Sequence, residues 1–120
     1  MVFRILYVED NPYNMDLVVR ILTHIGGYEV LKAKDGQSGI HVAENEKPDL
    51  ILMDLNLPDI SGLDATTRIK ANPALAHVPV VAFTANTSMK PQICYDAGCD
   101  GFVNKPADVD KLLAIVQQYL

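Results

Sequence analysis

Two kinds of hydrophobic pattern alternate along this chain. Short runs of apolar and β-branched residues, of the length typical of strands, are separated by stretches in which apolar residues recur at helical spacing. The predicted strands are Phe3–Val8, Tyr28–Ala33, Leu50–Met53, Val80–Phe83 and Gly101–Val103. Strands that alternate with helices in this way predict a parallel sheet with helices on both faces.

The helical pattern is clearest at the two ends of the chain. The apolar stripe of the first predicted helix is Val18, Ile21, Leu22 and Ile25, and that of the last is Val109, Leu112, Leu113, Val116 and Leu120. Weaker patterns predict helices over Ser38–Glu46, Leu63–Lys70 and Ser88–Ala97. Asn11-Pro12 is typical of a helix start, and Gly26-Gly27 of a helix end.

Length and charge narrow the class of protein. The 120 residues predict one domain spanning 1–120. A net charge of −5 argues against binding nucleic acid or an anionic membrane surface, because both need basic clusters. The apolar runs are too short to span a membrane, and two cysteines do not make a disulfide scaffold, so we expect a cytoplasmic protein.

Polar residues follow four of the five predicted strands. The first strand is followed by Glu9-Asp10-Asn11, the third ends in Asp54, the fourth is followed by Thr84-Ala85-Asn86, and the fifth is followed by Asn104-Lys105-Pro106. The second strand is followed by Lys34-Asp35-Gly36, which predicts a turn. In open parallel sheets, ligands bind beyond the carboxyl ends of the strands, so these residues are expected to share one site.

Three carboxylates at one place predict a cation. Glu9, Asp10 and Asp54 would repel one another, by about 4 kcal/mol for two charges 4 Å apart at an intermediate dielectric, unless a positive charge enters. Carboxylate oxygens suit Mg²⁺, and Lys105 and Thr84 add an ammonium and a hydroxyl suited to phosphoryl oxygens. Because Asp54 ends an apolar run in the middle of the sheet, it is the expected nucleophile for an aspartyl phosphate.

Each of these residues also has an ordinary structural explanation. Glu9-Asp10 could be a solvated helix start, Thr84 a helix N-cap and Lys105 a surface lysine. Their shared position at one edge of the predicted sheet favours the phosphoryl site.

Four segments together resemble the bacterial response-regulator receiver domain. They are Ile5–Asn11, Pro48–Gly62, Val78–Ala85 and Ala97–Pro106, and the resemblance runs from Phe3 to Leu120. It implies an α/β fold of the flavodoxin-like, doubly wound (βα)5 type, with one parallel five-stranded sheet in the order 2-1-3-4-5.

The resemblance also implies a metal site and a phosphoacceptor. Asp54 would accept a phosphoryl group from a sensor histidine kinase or a histidine phosphotransfer protein, docked along the first helix near 14–18. Glu9, Asp10, Asp54 and the backbone carbonyl of Asn56 would hold Mg²⁺, for which Mn²⁺ could substitute.

The remaining family positions concern the phosphoryl group and the switch. Lys105, Thr84 and the neighbouring Ala85 would bind the phosphoryl group, and Phe102 occupies the position of the switch aromatic. Asn56 and Asn86 match positions that tune phosphoryl lifetime, and the bond before Pro106 would be cis.

These expectations describe a signalling protein that hydrolyses its own phosphoryl group, without a turnover substrate. Phosphorylation would change the face formed by helix four, strand five and helix five, which binds a downstream protein target. The chain would be a monomer or weak dimer. The runs 11–15 and 74–79 look like those of cell-division regulators and hybrid-kinase receivers, and we expect a stand-alone receiver.

Four alternatives stay open from the sequence. The chain could be a receiver excised from a hybrid histidine kinase, or an interaction module that works without phosphorylation. A phosphatase of the haloacid dehalogenase type should carry a second aspartate two residues after the nucleophile, where this chain has Asn56. A flavodoxin-like nucleotide binder should have a Gly/Ser/Thr-rich loop in place of Glu9-Asp10.

Overall fold

Strands and helices alternate as predicted in the computed structural model, which describes residues 2–85, 89–105 and 108–120. The strands are β1 (Arg4–Val8), β2 (Glu29–Ala33), β3 (Leu50–Asp54), β4 (Val80–Thr84) and β5 (Gly101–Asn104). The helices are α1 (Pro12–Arg20), α2 (Gly36–Glu46), α3 (Gly62–Ala71), α4 (Pro91–Asp96) and α5 (Val109–Tyr119). All strand pairs are parallel, in the order β2-β1-β3-β4-β5.

The sheet buries both of its faces. Because successive side chains of a strand point to opposite sides, β1 sends Leu6 and Val8 into one core and Ile5 and Tyr7 into the other. The first core includes residues of α2, α3 and α4, and the second includes residues of α1 and α5. Every central-strand side chain is therefore fixed by packing, which holds the strand ends rigid.

Two strands extend one residue further than the hydrophobic runs predict. β4 ends at Thr84 and β5 at Asn104, whereas β3 ends at Asp54 as expected, and the register pairs Asp54 with Phe83 and Thr84 with Asn104. Strand pairing continues past the apolar run because backbone hydrogen bonding does not depend on the side chain. Asp54 and Thr84 are consequently buried members of the sheet.

The prediction that Ile25 belongs to the buried stripe of the first helix is wrong. α1 continues as a π-helical turn over Ile21–Ile25, closed by a 3.1 Å bond from the Gly26 N–H to the Ile21 carbonyl. A π-helical turn holds more residues than an α-helical turn, so the later side chains rotate away from the core. Ile25 is 61% exposed, whereas Ile21 and Leu22 are buried.

The fourth helix is shorter than its pattern predicts. It begins at Pro91, and the preceding Lys90 is extended, with φ −77° and ψ 132°. Proline disfavours helical geometry in the residue before it, so Met89 and Lys90 stay outside the helix. The predicted start at Ser88 lies outside the described residues.

The predicted turn after β2 is the capped start of α2. Asp35 accepts a 2.8 Å hydrogen bond from the Ser38 N–H, and the Ser38 hydroxyl faces the Asp35 N–H in return. Within the described ranges, none of the helices is both long enough and apolar enough to cross a membrane.

Candidate functional site

Three acidic side chains meet at the carboxyl edge of the sheet. Glu9 directly follows β1 and Asp54 ends β3, and these neighbouring strands pair Val8 with Met53. Carboxylate oxygens of Glu9, Asp10 and Asp54 all lie within 4.8 Å of one another. Oxygens on opposite sides of one Mg²⁺ are about 4.2 Å apart, so small side-chain movements would let all three bind one ion.

Lys105 already supplies one positive charge to this cluster. Its ammonium contacts Glu9 Oε1 and lies 3.2 Å from Asp54 Oδ2, and its side chain is 13% exposed. It also lies 5.5 Å from the centre of the Phe83 ring. The expectation that an external cation is required for the cluster to persist is therefore too strong, because the chain's own lysine offsets part of the repulsion.

Tyr7 is a site residue that the sequence analysis missed. Its buried hydroxyl donates a 2.9 Å hydrogen bond to Glu9 Oε1, the oxygen that Lys105 also contacts. The signal was present in the sequence, because residues two apart on a strand share one face. The hydrophobic pattern by itself predicts only that Tyr7 is one more buried strand residue.

Burial and crowding displace the proton equilibria of the cluster. Burial raises the pKa of Asp54 to about 6, and the neighbouring Glu9 adds to the rise, while the Asn56 N–H and Lys105 oppose it. Burial would also raise the pKa of Glu9, but hydrogen bonds from Asp54 and Lys105 bring it well below its usual range. Asp54 is thus the carboxyl group that holds a proton in mildly acidic solution.

The loop after β3 returns closely to Asp54. The exposed Asn56 donates its N–H to Asp54 Oδ1 at 3.1 Å, and a Cβ on Gly62 would lie 2.1 Å from the Asp54 carbonyl oxygen. Asp59, which the sequence analysis also missed, accepts bonds from the Gly36 and Gln37 N–H groups at 2.7 and 2.8 Å. These contacts fix the loop between the phosphoacceptor candidate and α2.

The ends of β4 and β5 complete the edge. Thr84 is fully buried as the last residue of β4, so it is not a helix N-cap, and its carbonyl accepts a 2.6 Å bond from the Lys105 N–H. Ala85 is exposed beside it, and Phe102 is half-buried against the core that includes α4. Asn86 and Pro106 lie outside the described residues.

Comparisons with known proteins identify the family of this chain. The model of the response regulator receiver domain matches residues 5–117. The polar-differentiation response regulator DivK of Brucella anthropi is 37% identical over 118 residues, which cover 97% of this chain and 94% of that protein.

Solved structures of receiver domains superpose closely. The receiver domain of the sensor histidine kinase PA1611 from Pseudomonas aeruginosa, with a magnesium ion coordinated in its active site cleft, is 35% identical with a TM-score of 0.91. That match covers 99% of this chain and 98% of the other. The chemotaxis protein CheY4 of Vibrio cholerae is 27% identical with a TM-score of 0.92, and both chains are covered in full.

The fold class predicted from the sequence is confirmed by the strand order and by these neighbours. The family match spans most of the chain, and the identity to a curated response regulator extends over nearly its whole length. The chain therefore belongs to the response regulator receiver domain family.

Proposed function

We propose that this receiver domain is a phospho-accepting switch and that Asp54 is its phosphoacceptor. The observation that carries the proposal is the position of the Asp54 carboxylate at the rigid end of β3. It lies within the acidic cluster, and its Oδ2 is 3.2 Å from the Lys105 ammonium. The Asn56 N–H holds Oδ1, which fixes the orientation of the carboxylate.

The acidic cluster fits a divalent cation. Glu9, Asp10, Asp54 and the backbone carbonyl of Asn56 would hold Mg²⁺, and the related PA1611 receiver domain contains magnesium in its cleft. The ion supplies positive charge against the phosphoryl oxygens when it is bound. Because Mn²⁺ accepts similar octahedral oxygen ligands, we propose that it substitutes.

The transfer step uses groups of this chain. One Asp54 carboxylate oxygen attacks phosphorus in line, so that a P–O bond forms while the P–N bond of a donor phosphohistidine breaks and the imidazole takes the electron pair. Lys105 turns from Glu9 towards the phosphoryl oxygens, and the Thr84 hydroxyl donates a hydrogen bond to one of them. Asp54 must be ionised to attack, which its pKa of about 6 permits at neutral pH.

The donor has a place to dock beside the site. A hollow of about 220 Å³ lies between α1 and the end of β4, and Asn14, Leu17, Ala85 and Lys105 are among its lining residues. Tyr13 and Leu17 are exposed on α1. We propose that a sensor histidine kinase or a histidine phosphotransfer protein binds along this helix and presents its phosphohistidine to Asp54.

The change in partner binding after phosphorylation depends on two residues on the α4 side of the sheet. Thr84 and Phe102 would shift once the phosphoryl group is bound, and the face of α4, β5 and α5 would change its affinity for a downstream protein. Phe102 has no hydroxyl, so the switch depends on its burial. Hydrolysis of the acyl phosphate would reset the protein, with Asn56 and Asn86 tuning the lifetime and a cis bond before Pro106 shaping the edge.

A second context for the same chemistry has a specific observation in its favour. The similarity to the receiver domain of a sensor histidine kinase supports a receiver that belongs to a hybrid kinase. The phosphoacceptor chemistry is the same in both contexts. A cytosolic location, a monomeric or weakly dimeric state and the absence of nucleic acid and membrane partners stay predictions of the sequence.

Intact mass after incubation with acetyl phosphate tests the proposal. We expect one phosphoryl adduct on the wild type with Mg²⁺, little without it, and none on Asp54→Asn. Asp16→Asn, which changes an exposed aspartate of α1, is the matched control and should behave as the wild type. An adduct that persists on Asp54→Asn, or none on the wild type, would contradict the proposal.

A further inference from the structure

The Tyr7 hydroxyl is not needed for packing, because a purely apolar ring would fill this position of the core. Tyr7 is fully buried in the layer between the sheet, α1 and α5, and its ring centre lies 6.1 Å from that of Phe83. A phenylalanine would make the same ring contacts. The hydroxyl adds a buried polar group whose desolvation is offset by the 2.9 Å bond to Glu9 Oε1.

The two side chains that donate to Glu9 Oε1 differ in mobility. Lys105 has a flexible stem and also faces Asp54, so it can exchange partners when a phosphoryl group or a metal enters. Tyr7 is anchored in β1, with its backbone paired to Lys32 of β2 on one side and Leu52 of β3 on the other. Tyr7 can therefore hold the Glu9 carboxylate after the lysine has left.

Glu9 needs such an anchor because of its length. A glutamate has one more rotatable bond than an aspartate, so its carboxylate can turn away from a neighbouring metal site. The second oxygen, Oε2, is held weakly, with the Asn11 N–H at 3.4 Å. The hydrogen bond at Oε1 consequently fixes the direction in which the carboxylate points.

We propose that Tyr7 is a positioning residue for the metal site. Its hydroxyl keeps the Glu9 carboxylate directed at Asp10 and Asp54. The metal affinity of the cluster then depends on Tyr7, beyond its contribution to packing. The inference rests on the proposed function, because it takes Glu9 as a metal ligand.

Calorimetric titration with Mg²⁺ alone tests the inference without any phosphorylation. Loss of a hydrogen bond to a metal ligand commonly weakens metal affinity by about tenfold or more, so Tyr7→Phe should raise the Kd for Mg²⁺ by about tenfold. Tyr119→Phe is the matched control, since the Tyr119 hydroxyl donates a 2.7 Å bond to the Asp100 carbonyl, far along the chain from the acidic cluster. Its Kd should stay within about twofold of the wild type, as no group of the cluster is changed.

Glu9→Asp provides the second arm. The aspartate side chain is shorter by one methylene, so its carboxylate cannot reach the Tyr7 hydroxyl, which lies 2.9 Å from Glu9 Oε1 in the wild type. In a Glu9→Asp background, Tyr7→Phe should change the Kd by much less than in the wild-type background. Equal effects in both backgrounds would show that Tyr7 acts through general packing and would overturn the inference.

A measurement on the wild type covers the case in which Tyr7→Phe does not fold. With tyrosine labelled by ¹³C at Cζ, the chain gives five resonances, and that of Tyr7 is identified by substituting the other four tyrosines in turn. Saturation with Mg²⁺ should shift the Tyr7 resonance, and an unshifted resonance would overturn the inference. If the wild type binds no Mg²⁺ at all, the proposed metal site itself fails, which is a different result.

Discussion

At the scale of single residues, the site is a set of negative charges that the folded chain only partly neutralises. Glu9, Asp10 and Asp54 share one edge, and Lys105 brings a single positive charge to them. Burial, with a smaller contribution from the neighbouring Glu9, raises the pKa of Asp54, so ionising that residue in the fold carries a cost. A bound cation would reduce the unfavourable free energy of the ionised carboxylates. Relief of this unfavourable energy would therefore contribute to metal affinity.

Asp54→Asn should stabilise the metal-free protein at neutral pH. The folded-state pKa of Asp54 is raised from 3.8 to about 6. Proton binding to Asp54 therefore stabilises the folded protein fully below about pH 4, and this stabilisation is lost as the pH rises through 6. The difference in unfolding free energy between mutant and wild type should grow over this window, by on the order of 1–3 kcal/mol. Urea unfolding from pH 4 to 8 in EDTA measures it.

Asp16→Asn controls for the loss of a negative charge at an exposed position. Its difference from the wild type should stay nearly flat between pH 4 and 8. A mutant at position 54 that is less stable than the wild type at pH 7.5 without metal would contradict the account of crowded carboxylates.

Lys105→Met should make the fold depend on a metal ion. Removal of the ammonium leaves Glu9 and Asp54 buried without their positive partner, and breaking a buried pair in this way costs about 3–5 kcal/mol. Mg²⁺ should restore part of the loss, so its effect on Tm should be larger in the mutant than in the wild type. Differential scanning fluorimetry with and without Mg²⁺ measures both quantities.

Lys111→Met, an exposed lysine of α5, is the control for this substitution. Its Tm and its response to Mg²⁺ should match the wild type. Equal metal responses in Lys105→Met and the wild type would show that the lysine and the metal do not relieve the same repulsion.

At the scale of elements, the loop from β3 to α3 is held against the end of β3. The Gly62 N–H donates to the Leu55 carbonyl at 3.0 Å, and Gly62 approaches the Asp54 backbone too closely for any side chain. Asp59 ties the same loop to the start of α2. The local geometry at Asp54 therefore depends on contacts made several residues later in the chain.

Gly62→Ala should be costly for both stability and phosphorylation. The new Cβ would meet the Asp54 carbonyl oxygen and the Leu55 Cα, which are backbone atoms, so the loop must move, at a cost of about 3 kcal/mol. Gly27→Ala is the control, because its φ of +74° is unfavourable for alanine but the space around it is open, and about 1 kcal/mol is expected. Urea unfolding and the rate of phosphorylation by acetyl phosphate should both show a larger loss in Gly62→Ala than in Gly27→Ala. Equal losses of stability and of phosphorylation rate in the two variants would refute the close-approach explanation.

The elements also show which features the sequence could predict. Strand positions follow from apolar runs, and the acidic residues at the ends of β1 and β3 are placed together by topology alone. The strand period of two places Tyr7 and Glu9 on one face but does not predict the hydrogen bond between them. The bonds that the exposed Asp59 accepts from the start of α2 join segments far apart in the sequence, so no local pattern predicts them. α4 starts later than its pattern predicts because of Pro91, and Ile25 is exposed because of the π-helical turn. Both causes are local in the sequence.

At the scale of the molecule, the site joins the two cores of the sheet. Tyr7 and Phe83 belong to the core with α1 and α5, whereas Phe102 packs against the core that includes α4. The 2.6 Å bond from the Lys105 N–H to the Thr84 carbonyl connects the ends of β4 and β5. In the proposed switch, phosphorylation of Asp54 would act on the α4 side through these two strand ends.

Hydrogen exchange with beryllofluoride and Mg²⁺ as a phosphoryl mimic tests this connection. We expect altered exchange at Thr84, Ala85 and the segment 89–105, because the proposed switch moves these residues. The segment Gly36–Glu46, which packs against β1 and β2 at the other end of the strand order, should change little and serves as the internal reference. A uniform change along the chain, or a change confined to α2, would contradict a switch through β4 and β5.

Chemical location of the phosphoryl group tests the central claim most directly. Borohydride converts an aspartyl phosphate to homoserine, so the wild type, phosphorylated with acetyl phosphate and Mg²⁺ and then reduced, can be digested and sequenced by mass spectrometry. The account predicts homoserine at position 54 and an unreduced side chain at each of the other acidic positions. Homoserine at position 10, the one-carbon-longer alcohol 2-amino-5-hydroxypentanoic acid at position 9, or no reduced residue anywhere would contradict it.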